Sequence, residues 1–117
     1  MTATIPQIAS FCKAVAQCVT IPEVTEQLCG GAKINPQQTG FISCPSPHHQ
    51  ERHITHCSYT GSGSQDCHKF HCFACGASGD AVTYAALWLG LSNFAAARKI
   101  NEYFYLNIPD PCDPKKY

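Results

Sequence analysis

Residues 70–80 of the chain read Phe-His-Cys-Phe-Ala-Cys-Gly-Ala-Ser-Gly-Asp, and this run places Cys72 and Cys75 directly in front of Gly76. Two intervening residues let the backbone turn back, so that both sulfurs can bind one metal ion at about 2.3 Å each. A glycine after the second cysteine suits the turn because it adopts a positive φ at little cost. The run predicts half of a tetrahedral zinc site, although a lone Cys-x-x-Cys pair also occurs in redox proteins and loop disulfides.

The other half of the predicted site lies upstream, in a proline-rich turn. Cys44 stands there four residues before His48 and five before His49. Cys44, one of these two histidines and the two downstream cysteines would form a Cys₃His set, which is a common structural zinc combination. Because such a set leaves no coordination position open, we expect the metal to organise the fold and not to activate water.

The cysteine count also allows a disulfide scaffold, as found in small secreted proteins. Nine cysteines occur in 117 residues, which fit one small domain. The odd count, the metal-like spacing and an N-terminus without a basic and apolar leader favour zinc in a reducing cytoplasm instead. Structural zinc can supply on the order of 10 kcal/mol of apparent binding energy, which a domain with a modest core needs.

Charge and hydropathy restrict the partners. Eight Lys and Arg balance eight Asp and Glu, so the formal net charge is zero. This balance counts against strong nonspecific binding of nucleic acid, and any such binding is expected to be local. No window approaches the roughly 20 apolar residues of a membrane span, and we expect no membrane association.

The order of helix and strand signals predicts a small α+β fold, in which a zinc ribbon of three antiparallel strands is flanked by N- and C-terminal helices. Thr20, Asp80 and Ser92 are the predicted N-caps. Helices are expected at 8–19, 22–28, 81–89 and 93–105, and strands at 41–43, 54–60 and 68–73. The whole chain, 1–117, is one domain with a ribbon core at about 40–80, N-terminal helices at 8–29, C-terminal helices at 80–105 and a tail at 107–117.

Large apolar residues after the ribbon are expected to cover its back face; they are Tyr84, Leu87, Trp88, Leu91 and Phe94. The helical cysteines are expected to be small buried hydrophobes; they are Cys12, Cys18 and Cys29. Cys57 and Cys67 lie on the two arms of the predicted hairpin, and an alternative arrangement has them face each other and compete for metal or oxidise. Cys112 lies in the tail and has no predicted role.

Three blocks, at 40–45, 70–80 and 90–97, together resemble the N-terminal zinc-binding domain of bacterial DnaG-type DNA primases and their phage and plasmid relatives. The middle block, Phe-His-Cys-Phe-x-Cys-Gly-x-x-Gly-Asp, is the strongest. The resemblance runs from about Val19 to Tyr103. The family's usual Thr-Pro is replaced here by His53 and Ile54, and the following Gly/Ser-rich loop is longer than usual.

The resemblance implies one structural zinc ion held by Cys44, His49, Cys72 and Cys75. The family's Cys-Pro-x-Pro-x-His form of the first half selects His49 over His48. In the family this zinc-finger domain binds single-stranded template DNA in the cytoplasm and assists a separate catalytic domain in initiating the RNA primer. The expected partners are therefore template DNA and a primase catalytic domain or replicative helicase of the primosome.

Aromatic and basic residues on one face of the ribbon are the expected DNA contacts. Stacking on an aromatic ring contributes about 1–3 kcal/mol per base. Phe70 and Phe73 are equally good candidates for the core, because one strand face must pack inward. The candidate DNA-binding residues are Lys33, Arg52, His53, Lys69, Phe70, His71 and Phe73.

The chain by itself is not expected to join nucleotides, and two other functions compete with the primase interpretation. The acidic residues are scattered and no Walker-type glycine loop occurs, so we expect no nucleotide-joining activity from the chain by itself. Zero net charge favours a stand-alone zinc-ribbon adaptor of a mobile element, which would bind a replication protein rather than DNA. A third hypothesis is a thiol redox protein in which Cys72 and Cys75 form the redox pair. Such a protein would not need a metal ion to fold.

Overall fold

A computed structural model describes residues 4–30, 32–33, 40–45, 57–59, 68–109 and 111. Within these ranges the chain forms four helices and one three-stranded antiparallel sheet. The elements are α1 (Ile5–Cys18), α2 (Ile21–Leu28), β1 (Cys57–Ser58), β2 (Lys69–Cys72), β3 (Ser78–Asp80), α3 (Ala81–Leu89) and α4 (Asn93–Tyr103). This arrangement confirms the predicted small α+β class.

Capping boxes start the two N-terminal helices. Thr20 accepts a hydrogen bond from the Glu23 backbone N–H at 3.3 Å, and the Glu23 carboxylate accepts one from the Thr20 N–H at 3.0 Å. Thr4 and Gln7 form the same pair at the start of α1. Helix α1 therefore begins at Ile5, three residues before the predicted start, because its cap precedes the first apolar repeat.

The predicted caps of the C-terminal helices are confirmed. The Asp80 carboxylate accepts from the Thr83 N–H at 2.9 Å, and the Ser92 hydroxyl accepts from the Ala95 N–H at 3.1 Å. Gly90 ends α3 in the left-handed region, with φ of 70°, where a residue without Cβ is favoured. The short connection from α3 to α4 follows directly from this stop signal.

The sheet differs from the prediction in its third strand. Strand order is β1-β2-β3, and β3 pairs antiparallel with β2. The predicted strand at 41–43 makes only an isolated bridge, from Phe41 to Ser58. The additional strand β3 arises from the tight turn after β2: Cys72 donates its N–H to the Ala77 carbonyl at 2.7 Å, so the chain reverses and pairs with the strand it has just left.

Helix α3 is the centre of the packing, since it contacts the other three helices as well as β2 and β3. Tyr84 is fully buried, and its ring meets the buried Phe70 ring edge-on at 5.2 Å. Of the residues expected behind the sheet, Trp88 is half-buried. Leu91 lies two residues beyond the end of α3 and is 40 % exposed. No helix in the described ranges has the length and apolar character needed to cross a membrane.

Candidate metal centre and strand face

Three cysteine sulfurs converge beside the sheet. The Sγ atoms of Cys44, Cys72 and Cys75 all lie within 4.8 Å of one another, and those of Cys44 and Cys75 are 3.5 Å apart. Tetrahedral zinc with Zn–S bonds of about 2.3 Å places its sulfurs roughly 3.8 Å apart, so the three thiols fit around one such ion. The donor set and its spacing are compatible with a site for a single metal ion.

The end of β2 and the turn that follows it supply two of the three sulfurs. Cys72 is fully buried at the end of the strand, and Cys75 is exposed in the turn that follows. Gly76 donates its N–H to the Cys72 carbonyl at 2.9 Å and has a φ of +81°. The glycine predicted to permit this turn therefore does so, because a side chain is disfavoured at that φ.

Backbone hydrogen bonds on both sides hold the segment that leads into Cys44. Ile42 donates its N–H to the Cys57 carbonyl, and Ser43 donates its N–H to the Lys33 carbonyl, both at 2.9 Å. These bonds fix the chain immediately before the thiol. Lys33 itself is exposed beside this segment.

Tyr84 ties the same segment to helix α3. Its hydroxyl donates to the Ser43 carbonyl at 2.6 Å, one residue before Cys44. Burial raises the pKa of the Tyr84 hydroxyl above its usual range, so the group stays protonated and remains a donor. From the sequence, Tyr84 was expected only as a core residue. A buried tyrosine hydroxyl usually needs a hydrogen-bond partner, and this rule could have predicted its additional bond.

The fourth ligand was predicted to be a histidine. His48 and His49 lie outside the described residues. The same is true of two candidate DNA contacts, Arg52 and His53. These assignments therefore remain predictions, while the three cysteines of the predicted set lie together.

The other cysteines divide between buried and exposed positions. Cys29 is buried as predicted, and burial raises its pKa to about 11. Cys12 is half-buried, and Cys18 is exposed, so the expectation of burial was wrong for Cys18. Cys18 is the last residue of α1, and it is not among the residues that this helix buries.

Cys57 is fully buried on β1 and lies directly opposite Cys72 on β2. It is not a member of the group of three converging sulfurs. Cys67, its expected partner across the hairpin, lies outside the described residues, as does Cys112. The expected pairing of Cys57 with Cys67 therefore stays a prediction.

Side chains along β2 alternate between the two faces of the strand, and this alternation separates the buried from the exposed candidate DNA-binding residues. Phe70 is 1 % exposed and points into the core, whereas Lys69 is exposed, His71 is half-buried and Phe73 is 63 % exposed. The His71 and Phe73 rings meet edge-on at 4.7 Å. We call Lys69 and His71, together with Phe73 immediately after the strand, the outer face of β2. Phe70 is not on this face, because its ring fills the space beside Tyr84 and cannot stack on a base there.

Comparisons of the chain with protein-family models, with curated proteins and with solved structures found no match.

Proposed function

We propose that the chain is the zinc-binding, template-recognition module of a DnaG-type DNA primase. One observation supports this most directly: three converging thiols stand at the end of a strand whose outer face carries a basic, an imidazole and an aromatic side chain. The order of the sequence blocks that resemble the family supports the same conclusion.

The metal of the proposal is one structural zinc ion. Thiolates are soft ligands that suit zinc, and Cys44, Cys72 and Cys75 would supply three of them. His49 would complete a closed Cys₃His set. The zinc would hold the turn after β2 against the segment that ends in Cys44, and so would fix the outer face of β2.

The outer face of β2 would bind single-stranded template DNA. Phe73 offers an exposed ring for stacking on a base, and Lys69 offers a charge to a phosphate. His71 packs against the Phe73 ring and limits its freedom. Arg52, His53 and Lys33 are further candidates from the sequence, and Phe70 supports the strand from inside.

Nucleotide joining belongs to a separate catalytic domain in this proposal. The scattered acidic residues offer no pair for magnesium in the sequence, and the described residues gather only cysteines into a metal-binding group. The module would act in the cytoplasm, beside a primase catalytic domain or a replicative helicase.

A second candidate function is a zinc-ribbon adaptor that binds a replication protein. Zero net charge favours it, because a DNA-binding module usually carries a basic excess. The two functions share the metal site and differ in the partner of the outer face of β2.

A titration of fluorescent single-stranded DNA into the zinc-loaded chain at about 50 mM and about 200 mM salt separates the two functions. Template binding predicts saturable affinity that weakens with salt. Phe73→Ala should lose about 1–3 kcal/mol of binding free energy, since it removes a stacking ring. Tyr105→Ala is the control, because Tyr105 is also an exposed aromatic and lies beyond the end of α4, away from the outer face of β2.

Absence of binding at the lower salt concentration would reject the template-binding module and leave the adaptor. An equal loss of affinity in both variants would show that the outer face of β2 is not the DNA-binding surface.

A further inference from the structure

A cavity of about 620 Å³ lies between helix α1 and the start of β2. Its wall on the α1 side is mostly apolar and includes Ile8, Ala9, Cys12 and Ala16. Cavities of about 300–1,000 Å³ with apolar walls and a few polar groups are typical of small-molecule sites. None of the three converging cysteines lines this cavity, so it is separate from the candidate metal centre.

Two lysines border the cavity from opposite elements. Lys13 comes from α1 and Lys69 from β2, and both are exposed. Within the part of the chain that the structure describes, neither ammonium group forms an ion pair or hydrogen bond. These two positive charges outnumber the single carboxylate that lines the cavity, that of Asp80, and so favour a ligand with an apolar body and an anionic group.

Polar side chains at the edge of the cavity restrict the ligand further. Gln17, Asp80 and Asn93 line it and offer hydrogen-bond donors and acceptors. The Asp80 carboxylate is held in place by the Thr83 N–H and hydroxyl, at 2.9 and 3.2 Å. Burial and the charge of Asp80 both raise the pKa of Cys12, which agrees with a carboxylate that faces the same cavity.

Lys69 belongs both to this cavity and to the outer face of β2. A strand bound along that face would therefore bring its backbone to the mouth of the cavity. A nucleobase has an apolar planar body and polar edges, and enzymes that take a base out of a strand hold it between apolar walls. A phosphate supplies the anionic group.

We propose that this cavity binds one nucleotide, with the base against the apolar wall of α1 and the phosphate at Lys13 and Lys69. The proposal rests on the proposed function for the source of the nucleotide, which is the bound single strand. A free mononucleotide has the same chemistry, and the experiment separates the two sources.

The first arm measures binding of labelled single-stranded DNA to zinc-loaded variants. Ala9→Phe places a ring in the cavity from an exposed helix position and should weaken binding at least about fivefold, as expected when one base loses its contacts. Ser10→Phe is the matched control, because Ser10 is equally exposed on α1 but lies outside the cavity. If Ala9→Phe fails to fold, Lys13→Gln removes a phosphate contact at an exposed site and should weaken binding several-fold.

The second arm titrates deoxycytidine 5′-monophosphate and, separately, inorganic phosphate into the isotope-labelled chain. Amide NMR shifts at Ala9, Lys13 and Lys69 that appear with the mononucleotide and not with phosphate alone would show that the cavity takes a free nucleotide. Shifts at these residues with single-stranded DNA alone would assign the occupant to the strand.

The two proposals fail in different ways. DNA binding that is lost in Phe73→Ala but unchanged in Ala9→Phe and Lys13→Gln, with no shifts at Ala9, overturns the nucleotide cavity and leaves the template module intact. A chain that binds no DNA overturns the template module, and the mononucleotide titration then decides the cavity by itself: shifts support it, and their absence rejects it.

Discussion

Single residues connect the metal centre to the helices at a few defined points. Tyr84 is the clearest case, because its ring packs against Phe70 while its hydroxyl bonds the carbonyl that precedes Cys44. An unsatisfied buried carbonyl costs about 1–3 kcal/mol, so this one hydroxyl contributes to the position of a metal ligand as well as to the core. The position of Cys44 therefore depends in part on a residue forty positions further along the chain, in addition to the backbone bonds of Ile42 and Ser43.

Cys29 should make the stability of the folded chain decrease as the pH rises in the alkaline range. Burial raises its pKa from about 9.0 to about 11, so the folded chain keeps the thiol neutral over a range where the unfolded chain ionises it. The stabilising contribution is complete below pH 9 and is lost as the pH rises towards 11, at up to about 1.4 kcal/mol per pH unit. Urea unfolding at pH 8, 9, 10 and 11 should therefore show a shallower decline in Cys29→Ala than in the wild type.

Cys18→Ala is the control for this measurement, since Cys18 is exposed at the end of α1. It should decline with pH as steeply as the wild type. Identical slopes in all three proteins would show that Cys29 ionises alike in the folded and unfolded states.

At the scale of elements, the junction from β3 to α3 requires a glycine. Gly79 has a φ of +152°, and a Cβ built on it would lie 2.7 Å from the Cβ of Thr83. Thr83 is fixed there because it donates both its N–H and its hydroxyl to the Asp80 cap. The last strand and the following helix therefore pack too closely for any side chain at this position.

Gly79→Ala should lower the free energy of unfolding by about 1–3 kcal/mol, through the overlap with Thr83 and the strained φ. Gly30→Ala is the matched variant, because a Cβ there meets nothing within 4 Å. Chemical denaturation of both variants, each loaded with zinc, measures the difference. Equal stability of the two would contradict the close packing of β3 on α3.

At the scale of the molecule, the sheet depends on the helices and on the metal centre together. Only α3 among the helices has several contacts to β2 and β3, and the sheet strands are two to four residues long. Such short strands bury little apolar surface of their own, so the metal ion that we propose would supply a large share of their stability.

Removal of the metal should therefore abolish the cooperative thermal unfolding transition. A strong chelator tests this in the wild-type chain, and readdition of zinc should restore the transition. Cys72→Ser should behave like the chelated wild type and lose its metal in native mass spectrometry, whereas Cys18→Ser should keep one ion per chain. A metal-free chain with an unchanged melting temperature would support a redox pair at Cys72 and Cys75 instead.

Features that depend on residues adjacent along the chain could be predicted from the amino-acid sequence. The Cys-x-x-Cys-Gly turn, the caps at Thr20, Asp80 and Ser92, and the helices that they start follow local rules of backbone geometry and hydrogen bonding. The α+β class followed from the order of these signals along the chain. The metal-like spacing of Cys44 to a histidine predicted that it would lie with Cys72 and Cys75, and the three sulfurs do converge.

Features that depend on residues far apart in sequence could be seen only in the folded chain. The pairing of β3 with β2, the inward position of Phe70 and the outward position of Phe73 follow from strand register, which a four-residue pattern does not set. The bond from Tyr84 to the metal-binding segment and the cavity beside α1 arise from packing between elements far apart in sequence. Their physical cause is the shape of the assembled core, which no local pattern encodes.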